Sequence, residues 1–200
     1  MLCLTSPTQA AWIEAALDDL DAVLVDHAHC EIKAATNALS LASRVPAAMA
    51  PRLAALAEEE VRHFREVLDV LGARGLALGM PAEDRYAREL RAIAHRTAPA
   101  GRSPQETLVD RLLVAAIVEA RSCERFKLLS AALAARGDAE LAAFYDELFA
   151  SEARHYRTLV ELATESWGGD EARTKARLER LAREEGELVL SLSGAASIHG

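Results

Sequence analysis

The sequence predicts an all-α protein: a four-helix bundle whose two helical hairpins are joined by a long crossover containing a short helix, with an extra C-terminal helix. Three observations predict it. The 200 residues are 51% hydrophobic and 27% charged but only 4% aromatic, a composition rich in Ala, Leu, Glu and Arg and poor in the residues that strands favour. Apolar residues recur at helical spacing rather than alternating. Capping residues and breakers divide the chain into four long helices, with about thirty residues between the second and third, too many for a tight turn.

Each element has its own signals. Ser6-Pro7-Thr8-Gln9 reads as an N-cap, a proline at the first helical position and a glutamine three residues after the cap, opening a first helix over about 7–44 that Pro46 ends. A second helix over 51–71 starts at Pro51 and finds a C-terminal cap in Gly72. Residues 72–103 form the crossover, with Gly75, Gly79, Pro81, Pro99 and Gly101 around a short helix near Glu83 to Arg96. Ser103-Pro104-Gln105-Glu106 opens a third helix, 104–136, closed by Gly137. Asp138 caps a fourth, 139–166, and Asp170 begins a charged helix over about 171–193 before a small-residue tail that reads as loose. The whole, 1–200, reads as one domain, long enough to bury a substantial core.

Composition also excludes function classes. The longest apolar run, Leu112 to Val118, is far shorter than the roughly 18 residues of a membrane span. No basic segment precedes an apolar one near Met1, so a cytoplasmic protein is expected. Cys3, Cys30 and Cys123 form no C-x-x-C pair, which argues against a disulfide framework, a zinc knuckle or a rubredoxin-type iron centre. A net charge of -8 argues against nonspecific coating of nucleic acid but leaves room for a local cationic patch.

The apolar stripes of the four long helices carry the chemistry, because each contains a glutamate where a hydrophobe is expected. These are Glu31, Glu60, Glu119 and Glu152; His63 follows Glu60 by three residues, and His155 follows Glu152 by three. Residues three apart on a helix project from one side, so each Glu-x-x-His aims a carboxylate and an imidazole at one point. Measured from the hairpin turns at about 1.5 Å per residue, the two members of each helix pair differ in level by only roughly 5 to 6 Å. The two halves repeat the pattern: a lone Glu, then Glu-x-x-His. Four buried carboxylates are prohibitively costly without compensation. Two divalent cations balance them, and a mixed carboxylate and imidazole set suits iron or manganese better than zinc. Glu31, Glu60, His63, Glu119, Glu152 and His155 are therefore the expected ligands of a dinuclear site. His27 is expected to hydrogen-bond to a ligand rather than to bind metal.

The duplicated Glu plus Glu-x-x-His pattern resembles that of the ferritin-like di-iron carboxylate proteins. Within that group, four segments resemble the tRNA 2-methylthio-N6-isopentenyladenosine hydroxylases: Asp26-His27-Ala28-His29-Cys30-Glu31-Ile32-Lys33-Ala34-Ala35, Glu60-Val61-Arg62-His63-Phe64, Glu119-Ala120-Arg121-Ser122-Cys123-Glu124-Arg125-Phe126 and Ser151-Glu152-Ala153-Arg154-His155-Tyr156. The resemblance spans about Leu4 to Ala163, and the third segment is its most specific part. It implies a ferritin-like fold holding two iron ions, with O2 as co-substrate. It also implies a monooxygenase that hydroxylates the isopentenyl side chain of an adenosine next to the tRNA anticodon. An external two-electron supply is then needed, a reductase with a ferredoxin, because the chain carries no flavin, NAD or iron-sulfur motif. Iron oxidation and storage, or peroxide scavenging, is the alternative on the same bundle; a metal-free helical interaction module is the alternative from another class.

A cationic stretch offers a place for tRNA. Arg85, Arg88, Arg91, Arg96, Arg102 and Arg111 outnumber Glu89, Glu106 and Asp110, and His95 adds to them. Arg85, Arg88, Arg91 and Arg96, on the short crossover helix, are the expected phosphate contacts.

Overall fold

The computed structural model describes residues 2–192 and 196–199. Seven helices account for its secondary structure, with no strand among the described residues: α1 (Ala10–Asp18), α2 (Leu20–Ala42), α3 (Ala50–Ala73), α4 (Arg85–Arg96), α5 (Pro104–Arg136), α6 (Ala139–Ser166) and α7 (Glu171–Ser191). The two hairpins α2/α3 and α5/α6 make the most extensive packing in the molecule and together form the four-helix bundle. Helix α4 lies in the crossover, against α5 and α7, and α7 also packs on α5 and α6. None of the described helices is long and apolar enough to cross a membrane.

Local signals explain most boundaries. Ser103 and Glu106 form a capping box at the start of α5, and Gly137 ends it in the left-handed conformation, φ 86°. Asp84, Asp138 and Asp170 each accept a hydrogen bond from the backbone N–H three residues on, starting α4, α6 and α7.

Four expectations are corrected. The single helix over 7–44 is two, because the Asp19 carboxylate accepts from the Ala22 N–H and restarts the chain as α2. The Ser6-Pro7 cap is not used: α1 begins at Ala10, and Ser6 and Thr8 instead serve tertiary contacts. Thr8 donates to Glu124 through both its N–H and its hydroxyl, while the Ser6 carbonyl accepts from Arg121. Helix α3 runs through Gly72 to Ala73, and the left-handed residue that closes the turn is Gly75, with the Leu76 N–H returning to the Leu71 carbonyl at 2.9 Å. The fourth correction concerns the tail. Ile198 and His199 are buried, the Ser197 carbonyl accepts from Trp12 Nε1, and Ile198 N–H donates to Asp26. Helix α7 ends at Ser191; the expected end at residue 193 lies outside the described residues.

The bundle interior has two apolar layers. One contains Leu41, Leu53, Leu56, Leu112, Leu113 and Leu159 with Tyr86 and Leu90 of α4. The other contains Val23, Leu24, Val67, Leu71, Phe126, Leu129 and Tyr145 with Trp12 of α1. The charged cluster described next is drawn from α2, α3, α5 and α6 and is buried like the layers themselves.

Candidate metal centre and substrate cavity

The four glutamates and two histidines singled out in the sequence all converge. Glu31, Glu60, His63, Glu119, Glu152 and His155 are each at most 6% exposed. Their donor atoms fall into two sets, Glu31, Glu60, His63 and Glu152 in one, and Glu60, Glu119, Glu152 and His155 in the other, with atoms of a set within 4.8 Å of one another. Glu60 and Glu152 belong to both. Each helical hairpin thus supplies three donors to its own set and lends one to the other.

The imidazoles face inward through Nδ1. His63 Nδ1 lies 3.4 Å from Glu60, 3.6 Å from Glu31 and 3.7 Å from Glu152. His155 Nδ1 lies 2.9 Å from Glu60 Oε1 and 3.7 Å from Glu152. The two rings are 5.8 Å apart. Despite these short approaches, Glu60 Oε1, Glu152 Oε1, His63 Nδ1 and His155 Nδ1 are buried and make no hydrogen bond. Buried polar atoms without partners are rare and costly. Here they are carboxylate oxygens and imidazole nitrogens aimed at common points, the donor chemistry of a divalent-cation site, so the residues present fit iron.

Electrostatics agree with the geometry. Burial pushes the carboxyls of Glu31, Glu60 and Glu119 up, and neighbouring carboxylates add to it: Glu152 beside Glu31 and Glu119, and Glu31 beside Glu60. Burial works against charge on the histidines, but the close carboxylates of Glu31 and Glu60 outweigh it and raise His63 to about 10. Glu152 and Glu60 likewise raise His155 to about 11. The cluster strongly favours positive charge at its centre.

Partners outside the cluster hold its members in place. His27 Nε2 lies 2.7 Å from Glu31 Oε1, where a carboxylate only accepts, so Nε2–H is the donor; the Tyr145 hydroxyl lies 3.5 Å from His27 Nδ1. His27 is fully buried among Phe126, Phe144 and Tyr145. His155 Nε2 donates to Glu59 at 3.3 Å, and Glu59 also accepts from Ser151 and Arg154. The sequence hinted at His27 but gave no sign of Glu59, which is hidden in the acidic run Glu58-Glu59-Glu60. Its role comes from its position across from Ser151, Arg154 and His155 on α6.

A cavity of about 650 Å³ opens between α2, α4 and α5 and reaches Glu119. Ala34, Ala87, Ala94, Val114, Ala115 and Val118 form its apolar wall. Lys33, Arg88, Arg91, His95, Arg102 and Arg111 also line it. Of the four arginines expected to meet phosphate, Arg88 and Arg91 stand in this wall, while Arg85 and Arg96 are exposed on α4 outside it. The physical reason is helical phase: positions 84, 88, 91 and 95 share a face, and 85 and 96 sit about a quarter turn away.

Comparison with known proteins agrees with this picture. A helical protein from Synechococcus, described as protein 43 with aldehyde deformylating oxygenase activity, superimposes with a TM-score of 0.84 at 33% identity, covering 100% of this chain and 96% of that one. The tRNA 2-(methylsulfanyl)-N(6)-isopentenyladenosine(37) hydroxylase of Pseudomonas putida is 42% identical over 190 residues, covering 94% of this chain and 87% of its own. The enzyme of the same name from Salmonella typhimurium is 31% identical over 239 aligned positions, covering 94% and 84%. With residues 1–200 matching a single family throughout, the chain belongs to the ferritin-like tRNA-(MS[2]IO[6]A)-hydroxylase (MiaE) family.

Proposed function

We propose that the protein is a non-haem di-iron monooxygenase that hydroxylates the isopentenyl side chain of 2-methylthio-N6-isopentenyladenosine in tRNA, next to the anticodon, with O2 and two electrons. The observation that carries this reading is the pair of donor sets sharing Glu60 and Glu152 beneath a cavity lined by apolar and cationic groups. Membership of a hydroxylase family and the two curated relatives set the substrate class. They also disfavour iron storage and peroxide scavenging.

Glu31, Glu60 and His63, with Glu152, would hold one iron; Glu119, Glu152 and His155, with Glu60, would hold the other. When bound, the iron pair supplies O2 activation and oxidation of a C–H bond. The chain's own part is positioning. His27 occupies Glu31 Oε1, leaving Oε2, the oxygen nearest His63, for the metal. Glu59 fixes the ring of His155 so that Nδ1 faces inward. The apolar wall of Ala34, Val114, Ala115 and Val118 suits a prenyl chain and excludes water near Glu119. Arg88 and Arg91 meet the phosphates that flank the nucleoside. Electrons come from an external reductase with a ferredoxin, and the reaction belongs in the cytoplasm, where tRNA is modified.

The test is anaerobic reconstitution with Fe(II), followed by reductant, O2 and tRNA from cells that lack this hydroxylation. Digestion and mass spectrometry should show a gain of one oxygen on the prenylated adenosine, absent without iron. Iron uptake and O2 consumption with an unchanged nucleoside would defeat the tRNA reading and favour iron oxidation.

A further inference from the structure

A second cavity, of about 560 Å³, lies beside the first, at the turn between α2 and α3 and the start of α5. Arg44, Pro46, Pro104 and Leu108 line it, and Thr107 and Arg111 line both cavities. Arg111 therefore stands on the divide, with Arg91 on one side and Arg44 on the other.

Charge pairing along this path is uneven. The carboxylates of the first cavity already have partners: Glu83 pairs with Arg88, Asp84 with Lys33 at 3.5 Å, and Asp110 with Arg102 and Arg177 at 3.2 and 2.7 Å. Glu119 belongs to the metal cluster. Among the described residues no salt bridge within 4.0 Å is formed by Arg44, Arg91 or Arg111; Arg91 acts on Asp84 only at longer range, and Arg111 makes one hydrogen bond, to the Ser40 hydroxyl at 3.1 Å. Burial, and then the like charges of Arg44 and Arg91, disfavour its guanidinium. A half-buried arginine left with a neutral partner between two other cations is the surrounding an anion would complete, and a guanidinium suits phosphate oxygens in particular.

We infer that Arg91, Arg111 and Arg44 seat consecutive parts of the RNA backbone, so that the strand leaves the first cavity across the N-terminal part of α5 toward the α2–α3 turn. The assignment rests on the proposed tRNA substrate and goes beyond it, since it gives the strand a direction. A route along the outer face of α4, over Arg85 and Arg96, is the competing one. Arg44 lies far from α4 in sequence and enters only because the fold sets the end of α2 beside the start of α5.

Equilibrium binding of a synthetic RNA stem-loop, carrying the prenylated adenosine in its loop, to iron-loaded protein over a range of salt concentrations separates the routes. Each lost phosphate contact should lower the slope of log K against log salt by about 0.7 to 0.9. Arg44→Gln and Arg111→Gln should each show that loss and weaker binding. Arg85→Gln, Arg96→Gln and Arg183→Gln, the last exposed on α7 and lining neither cavity, should keep the wild-type slope. Wild-type slopes in Arg44→Gln and Arg111→Gln overturn the inference, as does a loss confined to Arg85→Gln and Arg96→Gln. Either result leaves the substrate reading standing while wild-type protein still gains oxygen on the nucleoside. If wild-type protein neither binds the stem-loop nor oxidises the nucleoside, the functional reading itself has failed.

Discussion

At Glu31 one carboxylate oxygen is held by His27 and the other faces His63 at 3.6 Å. Losing such a partner usually lowers metal affinity about 10- to 100-fold. His27→Ala should therefore show a fall of that order in iron affinity, measured by chelator competition. His27→Gln, which keeps an N–H donor, should recover much of it; equal weakening in both would mean that His27 acts only by filling space among Phe126, Phe144 and Tyr145. The converging glutamates were readable in the sequence because a glutamate in an apolar stripe is conspicuous. Glu59 was not, because its neighbours in sequence are also acidic and its meaning lies in Ser151, Arg154 and His155 across the interface.

Among the elements, α7 is tied to the bundle by a buried network. Arg121 of α5 donates to Glu185 of α7 through Nε and Nη2 at 2.9 and 2.8 Å, and Tyr86 of α4 donates to the same carboxylate at 2.8 Å. Both Arg121 and Glu185 are fully buried. Removing one member strands the other, which typically costs about 3 to 5 kcal/mol. Arg121→Met should lower the melting temperature by many degrees, and a melting curve matching wild type would show the network to be dispensable. Close packing supports the same junction, since a Cβ on Gly186 would meet the hydroxyls of Thr5 and Ser6 at 2.6 Å.

The tail gives a second prediction at this scale. His199 stacks on Tyr86 at 5.2 Å and is held at about 3, chiefly by burial; Arg125, Arg121 and Lys33 act with burial, and Asp84 acts against it. The unfolded tail takes up a proton near 6.5, so the stabilisation is full above that pH and is lost as pH falls toward 3. Trp12, whose indole donates to the Ser197 carbonyl, should report tail release by a fluorescence change below pH 6.5. His199→Gln should weaken that pH dependence, and an unchanged profile would contradict this account. Neither the tail nor the break at Asp19 was legible in sequence. Small residues signal looseness unless a tertiary seat exists, and apolar spacing from Ala16 through Leu20 to Leu24 continues across the break.

For the whole molecule, the decisive feature is that the hairpins do not own separate sites. Glu60 comes from α3 and Glu152 from α6, and each serves both donor sets. The duplicated motif made the two-hairpin plan and the convergence of these glutamates and histidines readable. The cavity and the arginine path were not, because they join the crossover to α2 and α5 across distances that no local pattern encodes. Iron stoichiometry tests this central claim most directly. After anaerobic loading and desalting, wild-type protein should retain two iron ions per chain. Glu119→Gln should retain about one, because the set of Glu31, Glu60, His63 and Glu152 is intact. Glu152→Gln removes a donor from both sets and should retain well below one. Saturation of the wild type at one iron, or retention of two by Glu152→Gln, would contradict the shared-carboxylate centre.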